Sequence, residues 1–309
     1  MSSNPKISVV TANRNGGRFL RETIESVMVQ RPVDFEHVIV DGASTDDSVD
    51  ILKSYPHLVW KSEPDRSPTE GFRKALAMAR GEYVMVTCAS DGYLSRTWFQ
   101  RCAEVLDRDP EVSIVWGLAL TMNEGGDLDG VWQHALLTTP PPQKQGFLEH
   151  WLATGLLYPE LNYCIRRDVF LRSFPAEDDA DYLAAKNPFV QLVFNLNVNG
   201  YLPYFLPYFA HFGRAHHGQY GERIQDEAVR SMEIYQQRIA DYRDGIASGR
   251  IEHIFRDGKG AVVGPMSAEQ LARIRVLDKA MKAGAGQVMP PTNEPRRPIK
   301  RLLRRLRGR

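Results

Sequence analysis

The chain has 309 residues, 43% of them apolar and 25% charged, with a formal net charge of +1. These values describe an ordinary globular protein and exclude a disordered, collagen-like or membrane-embedded chain. Three cysteines, Cys88, Cys102 and Cys164, lie far apart with no CxxC or Cys/His spacing, which argues against a zinc site or a disulfide framework and fits a reducing compartment.

The opening MSSNPKISVV has no charged segment followed by a long apolar run, so no signal peptide is expected and a cytoplasmic location is. Residues 7–11 (ISVVT) are a β-branched run and read as a buried strand. Residues 18–30 carry Phe19, Leu20, Ile24, Val27 and Met28 at helical spacing. A second strand follows at 37–40, and a helix at 45–55 with Asp46 and Asp47 near its start. A short strand at 58–60 precedes a helix at 68–79 that Gly81 stops. Strand 83–87, helix 96–106 and strand 112–116 complete the run. Strands separated by helices of about ten residues imply βαβ units and a mainly parallel, doubly wound α/β sheet.

The alternation weakens beyond Trp116. Residues 123–130 are turn-rich, and Pro140–Pro142 mark a loop. The longest apolar-looking stretch, 189–212, is interrupted by asparagines, Gly200, Pro203 and Pro207, and reads as core rather than a membrane span. Helices are expected at 222–242 and 267–282, then a Gly/Pro-rich linker at 284–298. Charge is uneven: 296–309 (RRPIKRLLRRLRGR) holds eight of the 39 basic residues and no acid, leaving 31 basic against 38 acidic elsewhere.

In an open parallel sheet, ligands bind beyond the carboxyl ends of the strands. Thr11, Ala12, Asn13 and Arg14 follow strand one. Asp41-Gly42 through Asp46 follow strand two, Glu63 to Arg66 strand three, and Cys88 to Gly92 strand four. Such crowding of carboxylates on one edge raises their pKa values, and a divalent cation arriving with a nucleotide diphosphate would relieve it. Asp41 suits an acceptor for a uracil N–H or a ribose hydroxyl. Asp91 suits Mg2+ or Mn2+ bridging two phosphates. Taken singly, Asp41-Gly42 and Asp91-Gly92 are also common turn pairs, Asp46 and Asp47 fit helix capping, and Gly16–Arg18 is a weak phosphate-loop signal.

The segments ISVVTANRNGGRFLRETIESVMVQ, HVIVDGASTDDSVDIL and SEPDRSPTEGFRKALAMARGEYVMVTCASDGYL, in that order and spacing, resemble the nucleotide-binding half of family 2 glycosyltransferases over residues 6–120. Residues 163–170 and the HFGRAHHGQ stretch at 211–219 continue the likeness. The resemblance implies a GT-A fold with a helical C-terminal extension. It divides the chain into a nucleotide-sugar-binding half (1–120), an acceptor-binding half (121–220), a helical extension (221–283) and a linker with basic tail (284–309).

It also implies an inverting hexosyltransferase-like enzyme that uses a UDP- or dTDP-sugar, with a glycan or lipid-linked acceptor in cell-envelope polysaccharide synthesis. Thr11, Ala12, Asn13, Asp41, Ser44, Asp65, Arg66, Ser90 and Asp91 would bind the donor. Asp91 would be the metal-binding acid of the DxD motif, and His216 a further metal ligand or an ordinary loop histidine. Two departures stand out. Ala89 replaces the first DxD acid. The acidic pair expected before Gly200 is replaced by residues 187–191 (NPFVQ). Asp178, Asp179, Asp181 and Glu160 are the remaining candidates for the catalytic base, and the EDDAD run also reads as a solvated loop. Trp132, Trp151 and the aromatics of 201–209 could stack on a sugar or serve as core.

Ile299, Leu302, Leu303 and Leu306 would form one apolar stripe flanked by basic residues, the pattern of a helix on an anionic membrane surface. A solvated terminus or an arm on an acidic partner gives the same sequence. Nothing resembles a nucleic-acid-binding module, and nucleic acid is not expected as a partner. The competing function is a non-catalytic nucleotide-sugar-binding protein of the same fold. A sugar nucleotidyltransferase would need a longer Gly-rich loop after strand one, and a dehydrogenase a GxGxxG.

Overall fold

The structure is a computed structural model that describes residues 4–158, 161–176, 187–219 and 225–284. Its first half follows the expected alternation: β1 (Ile7–Asn13), α1 (Gly17–Met28), β2 (Phe35–Asp41), α2 (Ser48–Lys53), β3 (Val59–Ser62), α3 (Pro68–Met78) and β4 (Tyr83–Val86). These four strands pair in parallel in the order β3-β2-β1-β4. Period-2 alternation sends Val10, Val38 and Val84 into one core and Ile7, Val9 and Met85 into the other.

The helix expected at 45–55 is shorter, at Ser48–Lys53. Residues before it turn through Ala43 at φ +55° and into the Asp46 carboxylate, which accepts from the Ser48 amide. Helix α3 opens as its sequence dictates, with Ser67 accepting from the Glu70 amide and Pro68 at the first helical position.

The second half is mixed rather than parallel. It contains β5 (Gly92–Tyr93), α4 (Trp98–Arg108), β6 (Val112–Met122), β7 (Leu128–Val131) and α5 (Phe147–Thr154). Then come β8 (Tyr163–Arg166), α6 (Arg167–Ser173), α7 (Pro188–Val198) and β9 (Leu202–Arg214). Strand β8 lies antiparallel between β4 and β6, β9 runs parallel to β6, and β5 closes the edge antiparallel to β9. The strand expected at 112–116 continues to Met122, and the turn-rich stretch narrows to a 123–127 turn, because residues from Leu128 onward pair back on β6.

Helix α8 (Gln225–Ser248), a hairpin of β10 (Ile254–Arg256) and β11 (Val262–Pro265), and α9 (Ala268–Lys282) complete the described chain. They share the main core: Tyr235, Ile239, Ile246 and Ile274 pack in the same cluster as Val10 and Trp116. Trp151 is fully buried there and donates to the Tyr235 hydroxyl at 2.8 Å, so it is a core residue and not a sugar-stacking one. Tyr201 and Phe205 are buried likewise, whereas Trp132 is half-buried. Apart from Gly284, the linker and basic tail lie outside the described residues. No described helix is long and apolar enough to cross a membrane.

Candidate nucleotide-binding site

The parallel register sets one row of side chains across three strand ends: Asn13 opposite Asp41, and Asp41 opposite Ser62. Asp41 is fully buried. Its Oδ1 accepts from Asn13 Nδ2 at 2.7 Å and from the Ser44 hydroxyl; its Oδ2 accepts from the Ser44 amide at 3.0 Å and the Ser62 hydroxyl at 2.7 Å. Both oxygens are thus filled from within, and the carboxylate fastens β1, the 42–47 loop and β3 together. A ligand reaching Asp41 has to displace one of the two hydroxyls. Ser62 escaped the sequence reading, although strand alignment alone would have set it opposite Asp41.

Beneath this row Thr11 is fully buried and bonded to His37 Nε2 at 3.0 Å. Burial, and secondarily the charge of His57, depress the His37 pKa to about 3, so the ring is neutral near pH 7. Thr11 supports the strand end from inside. The Oδ1 of Asn13 differs from its Nδ2: it is buried, lacks a hydrogen-bond partner, and packs where a side chain on Gly16 would stand. This acceptor is free to take a hydrogen bond from a ligand donor.

The other side of the strand ends is floored by small residues. A Cβ on Gly42 would lie 2.5 Å from Asp65 Oδ2, and one on Gly71 would lie 3.0 Å from the Ala12 Cβ and 3.2 Å from the same carboxylate oxygen. The absence of those side chains lets Asp65 fold down onto the edge, where only 4% of its side chain is exposed. Burial pushes its pKa up, with Arg14, 3.7 Å away, and Lys74 opposing. Among the described residues no donor hydrogen-bonds to it. Asp65 is therefore the acidic side chain of this pocket with acceptor capacity to spare. Arg66 is turned away, 77% exposed and paired with Glu70 at 2.8 Å.

Asp46 works as a cap for two helices. Its Oδ2 accepts from the Gly17 amide at 2.9 Å and its Oδ1 from the Ser48 amide at 3.0 Å. Burial raises its pKa, but these bonds outweigh burial and leave it lowered. Two helix N-termini facing one carboxylate are favourable on dipole grounds as well.

Asp91 stands at the β4 edge on the far side of β1. Its Oδ1 accepts from the Arg214 backbone amide at 2.9 Å and from the Ser90 hydroxyl at 3.4 Å, while its own carbonyl takes the Thr23 hydroxyl at 2.6 Å. Ala89, at the position of the missing acid, packs with the Leu20 and Ile24 cluster. The chain then continues from Arg214 to His216, whose ring lies 5.0 Å from Phe19 and whose Nδ1 sits 3.0 Å from the His217 carbonyl. Glu124, on the β6–β7 turn, pairs with Arg18 and accepts from the His217 amide at 3.0 Å. The Arg214 guanidinium also pairs with Glu22 on α1, a contact not legible in sequence because the two residues lie 192 positions apart.

Among the described residues no three His, Cys, Asp or Glu side chains converge as a metal cage. Mg2+ and Mn2+ do not require one, since such ions are commonly held by one or two carboxylates plus phosphate oxygens. Asp91 offers one such carboxylate, and His216 lies two residues beyond the end of β9, whose last residue, Arg214, bonds Asp91. The candidate bases Asp178, Asp179, Asp181 and Glu160 lie outside the described residues. Helix α7 begins without a carboxylate: Asn187 Oδ1 caps it, accepting from Phe189 and Val190 amides at 3.1 and 3.2 Å.

A half-parallel sheet with small residues and acids gathered at its strand ends is the arrangement of an α/β fold that binds ligands beyond the strand ends. Residues 8–155 match the family described as Glycosyl transferase family 2. An uncharacterised glycosyltransferase of Mycobacterium tuberculosis is 30% identical over 41% of this chain and 50% of its own length. A putative teichuronic acid biosynthesis glycosyltransferase, TuaG of Bacillus subtilis, is 29% identical over 40% of this chain and 51% of its length. The chain therefore spans about half the length of these curated relatives.

Among solved structures, S. aureus TarS 1-349 superposes with a TM-score of 0.50 at 14% identity, covering 95% of this chain and 98% of TarS 1-349. Mannosyltransferase PcManGT from Pyrobaculum calidifontis, in complex with GDP-Man and Mn2+, gives 0.50 at 18% identity over 99% and 81%. These likenesses concern the fold, which is of the GT-A type. The domain at 8–155, just under half of the chain, is of the glycosyl transferase family 2 type.

Proposed function

We propose that this protein transfers a sugar from a nucleoside-diphosphate sugar, UDP- or dTDP-linked, to a hydroxyl of a glycan or lipid-linked acceptor, with inversion at the anomeric carbon. The observation that carries the reading is the gathering of the Asn13–Asp41–Ser62 row, the Asp65 pocket over Gly42 and Gly71, and Asp91 on one sheet edge. Asn13 and Asp65 would take up the nucleoside through Asn13 Oδ1 and the Asp65 carboxylate oxygens, which no described donor hydrogen-bonds. Asp91, joined by His216, would hold Mg2+ or Mn2+. That cation would neutralise charge developing on the departing diphosphate.

A carboxylate from Asp178, Asp179, Asp181 or Glu160 would remove the acceptor hydroxyl proton. The oxygen then bonds to the anomeric carbon as the bond to the diphosphate breaks. The teichuronic acid name of one relative supports a role in cell-envelope polysaccharide synthesis. The sequence of 296–309, with apolar residues at helical spacing among basic ones, supports action at the inner membrane face as a peripheral enzyme.

The test is release of nucleoside diphosphate from a panel of UDP-, dTDP- and GDP-sugars with Mn2+ or Mg2+, set against Asp91→Ala. Release confined to one sugar and abolished by the substitution is the expected result. The absence of both release and thermal stabilisation with every donor would sink the assignment. A second reading, a nucleotide-sugar-binding protein without catalysis, draws on the carboxylate-free start of α7, where Asn187 serves as cap. It requires metal-dependent donor binding with no turnover once acceptor glycans are supplied, and indifference to substitution of Asp178, Asp179, Asp181 and Glu160.

A further inference from the structure

We propose that Arg214 is the positioning residue that holds the single acid of the metal-diphosphate site in register, and that its buried charge biases this corner toward anions. The proposal rests on the donor reading above.

Arg214 ends β9, and just 2% of its side chain is exposed. Its amide donates to Asp91 Oδ1 at 2.9 Å, its Nε donates to the Ser90 carbonyl at 3.2 Å, its Nη1 reaches the Asn123 carbonyl at 3.5 Å, and its Nη2 pairs with Glu22. The guanidinium lies 4.5 Å from the centre of the Phe19 ring and 5.5 Å from that of Phe212. One side chain thus joins the acid loop, helix α1 and the β6–β7 turn, and the same residue's backbone fixes the carboxylate. The planar fork of an arginine can do this; the point charge of a lysine cannot serve three separated acceptors.

The charge balance separates this arginine from an ordinary buried ion pair. Arg243, the other deeply buried arginine with a carboxylate partner, faces Asp278, and both side chains are over 90% buried. Glu22, the carboxylate partner of Arg214, has 52% of its side chain exposed, and the other two acceptors of the Arg214 guanidinium are neutral carbonyls. Water screens Glu22 more than it screens the guanidinium, so a net positive field persists beneath Asp91. With Ala89 in place of a second acid, Asp91 is the acid of this corner, and the Arg214 amide orients it together with the Ser90 hydroxyl. An anionic diphosphate with its cation finds there a fixed carboxylate and a positive background that needs no rearrangement.

The test measures thermal stabilisation and calorimetric affinity for UDP, dTDP and GDP, each with and without Mn2+, and for the matching monophosphates. Wild type is compared with Arg214→Lys, Arg214→Met and Glu22→Gln. In both Arg214 variants the gain that Mn2+ gives to diphosphate binding should fall at least tenfold, while monophosphate affinity stays within about twofold. Glu22→Gln, which frees the guanidinium charge, should retain or raise the diphosphate affinity. If either folded Arg214 variant keeps the full Mn2+-dependent gain, the proposal is overturned. Equal loss of monophosphate and diphosphate binding would also overturn it, because that marks general damage to the fold. Wild type that binds none of the nucleotides overturns the donor reading itself, a distinct result visible before any variant is examined.

Discussion

Asp41 offers the sharpest test of how the strand ends are held. Replacing it by asparagine changes almost no volume and turns one of two acceptor oxygens into a donor. If the new NH2 takes the Oδ1 position it faces Asn13 Nδ2, itself a donor at 2.7 Å; at the Oδ2 position it faces the Ser44 amide at 3.0 Å. The Ser44 and Ser62 hydroxyls can rotate to accept and the Ser44 backbone amide cannot, while Asn13 can accept only by flipping its amide and moving Nδ2 into the buried place of Oδ1. Either orientation therefore costs a donor–donor contact or a forced flip of Asn13, and reduces the remaining bonds from charge-assisted to neutral. Charge-assisted bonds contribute about 1.5–3 kcal/mol each, and a buried group left unpaired costs about 1–3, so Asp41→Asn should destabilise the fold by roughly 2–4 kcal/mol. Urea unfolding followed by tryptophan fluorescence reads this directly. Asp65→Asn is the control, since no described donor bonds that carboxylate and burial already disfavours its charge. It should leave stability at or above wild type near pH 7 while weakening nucleotide binding. A loss under about 0.5 kcal/mol at Asp41, or equal losses at the two positions, would refute the assignment of Asp41 to structure and Asp65 to the ligand.

Three further expectations follow from buried charge. His37, His211 and His253 have pKa values lowered to about 3, 3 and 4 by burial, against 6.5 ordinarily. The unfolded chain therefore binds more protons in acid, and stability present above pH 6.5 should be lost as pH falls toward 4, at about 1 kcal/mol per pH unit per histidine. Denaturation midpoints across that range check the slope. His211→Phe should flatten it and raise stability at pH 6, because neither ring nitrogen has a partner and the ring already packs 5.5 Å from Tyr93; a steeper slope or lower stability would contradict this. Asp278→Ala strands the Arg243 charge between α8 and α9 and should cost about 3 kcal/mol or more by urea titration, whereas a near-neutral result would mean water reaches that pair.

The parallel half of the fold was readable because its information is local. Residues 7–86 carry their own strand and helix periods, and a parallel sheet puts whatever follows each strand on a common edge. That reasoning brought Asn13, Asp41, Asp65 and Asp91 to one edge without a structure. It did not say which acids are open. Asp41 looked like the ligand-facing carboxylate because it follows a strand in a turn pair, yet the register sets Ser62 and Asn13 beside it and both oxygens are filled. Asp65 looked secondary, yet two glycines leave it buried and unbonded.

Pairing distant in sequence was the other gap. Nothing in residues 163–166 announces that β8 will enter antiparallel between β4 and β6, since that choice is made by which edges remain unpaired once the parallel half has formed. The same long-range pairing carries Arg214 to Asp91. Strand β5 binds β9 through Gly92 opposite Phe212, and two residues further along β9 the Arg214 amide meets the Asp91 carboxylate. Local motif reading sees an acid followed by glycine and, 123 positions later, an arginine before a histidine. The sheet makes them one unit. A site whose lone acid is anchored this way is sensitive to substitutions in β9 that alter strand register, even at positions far from any ligand.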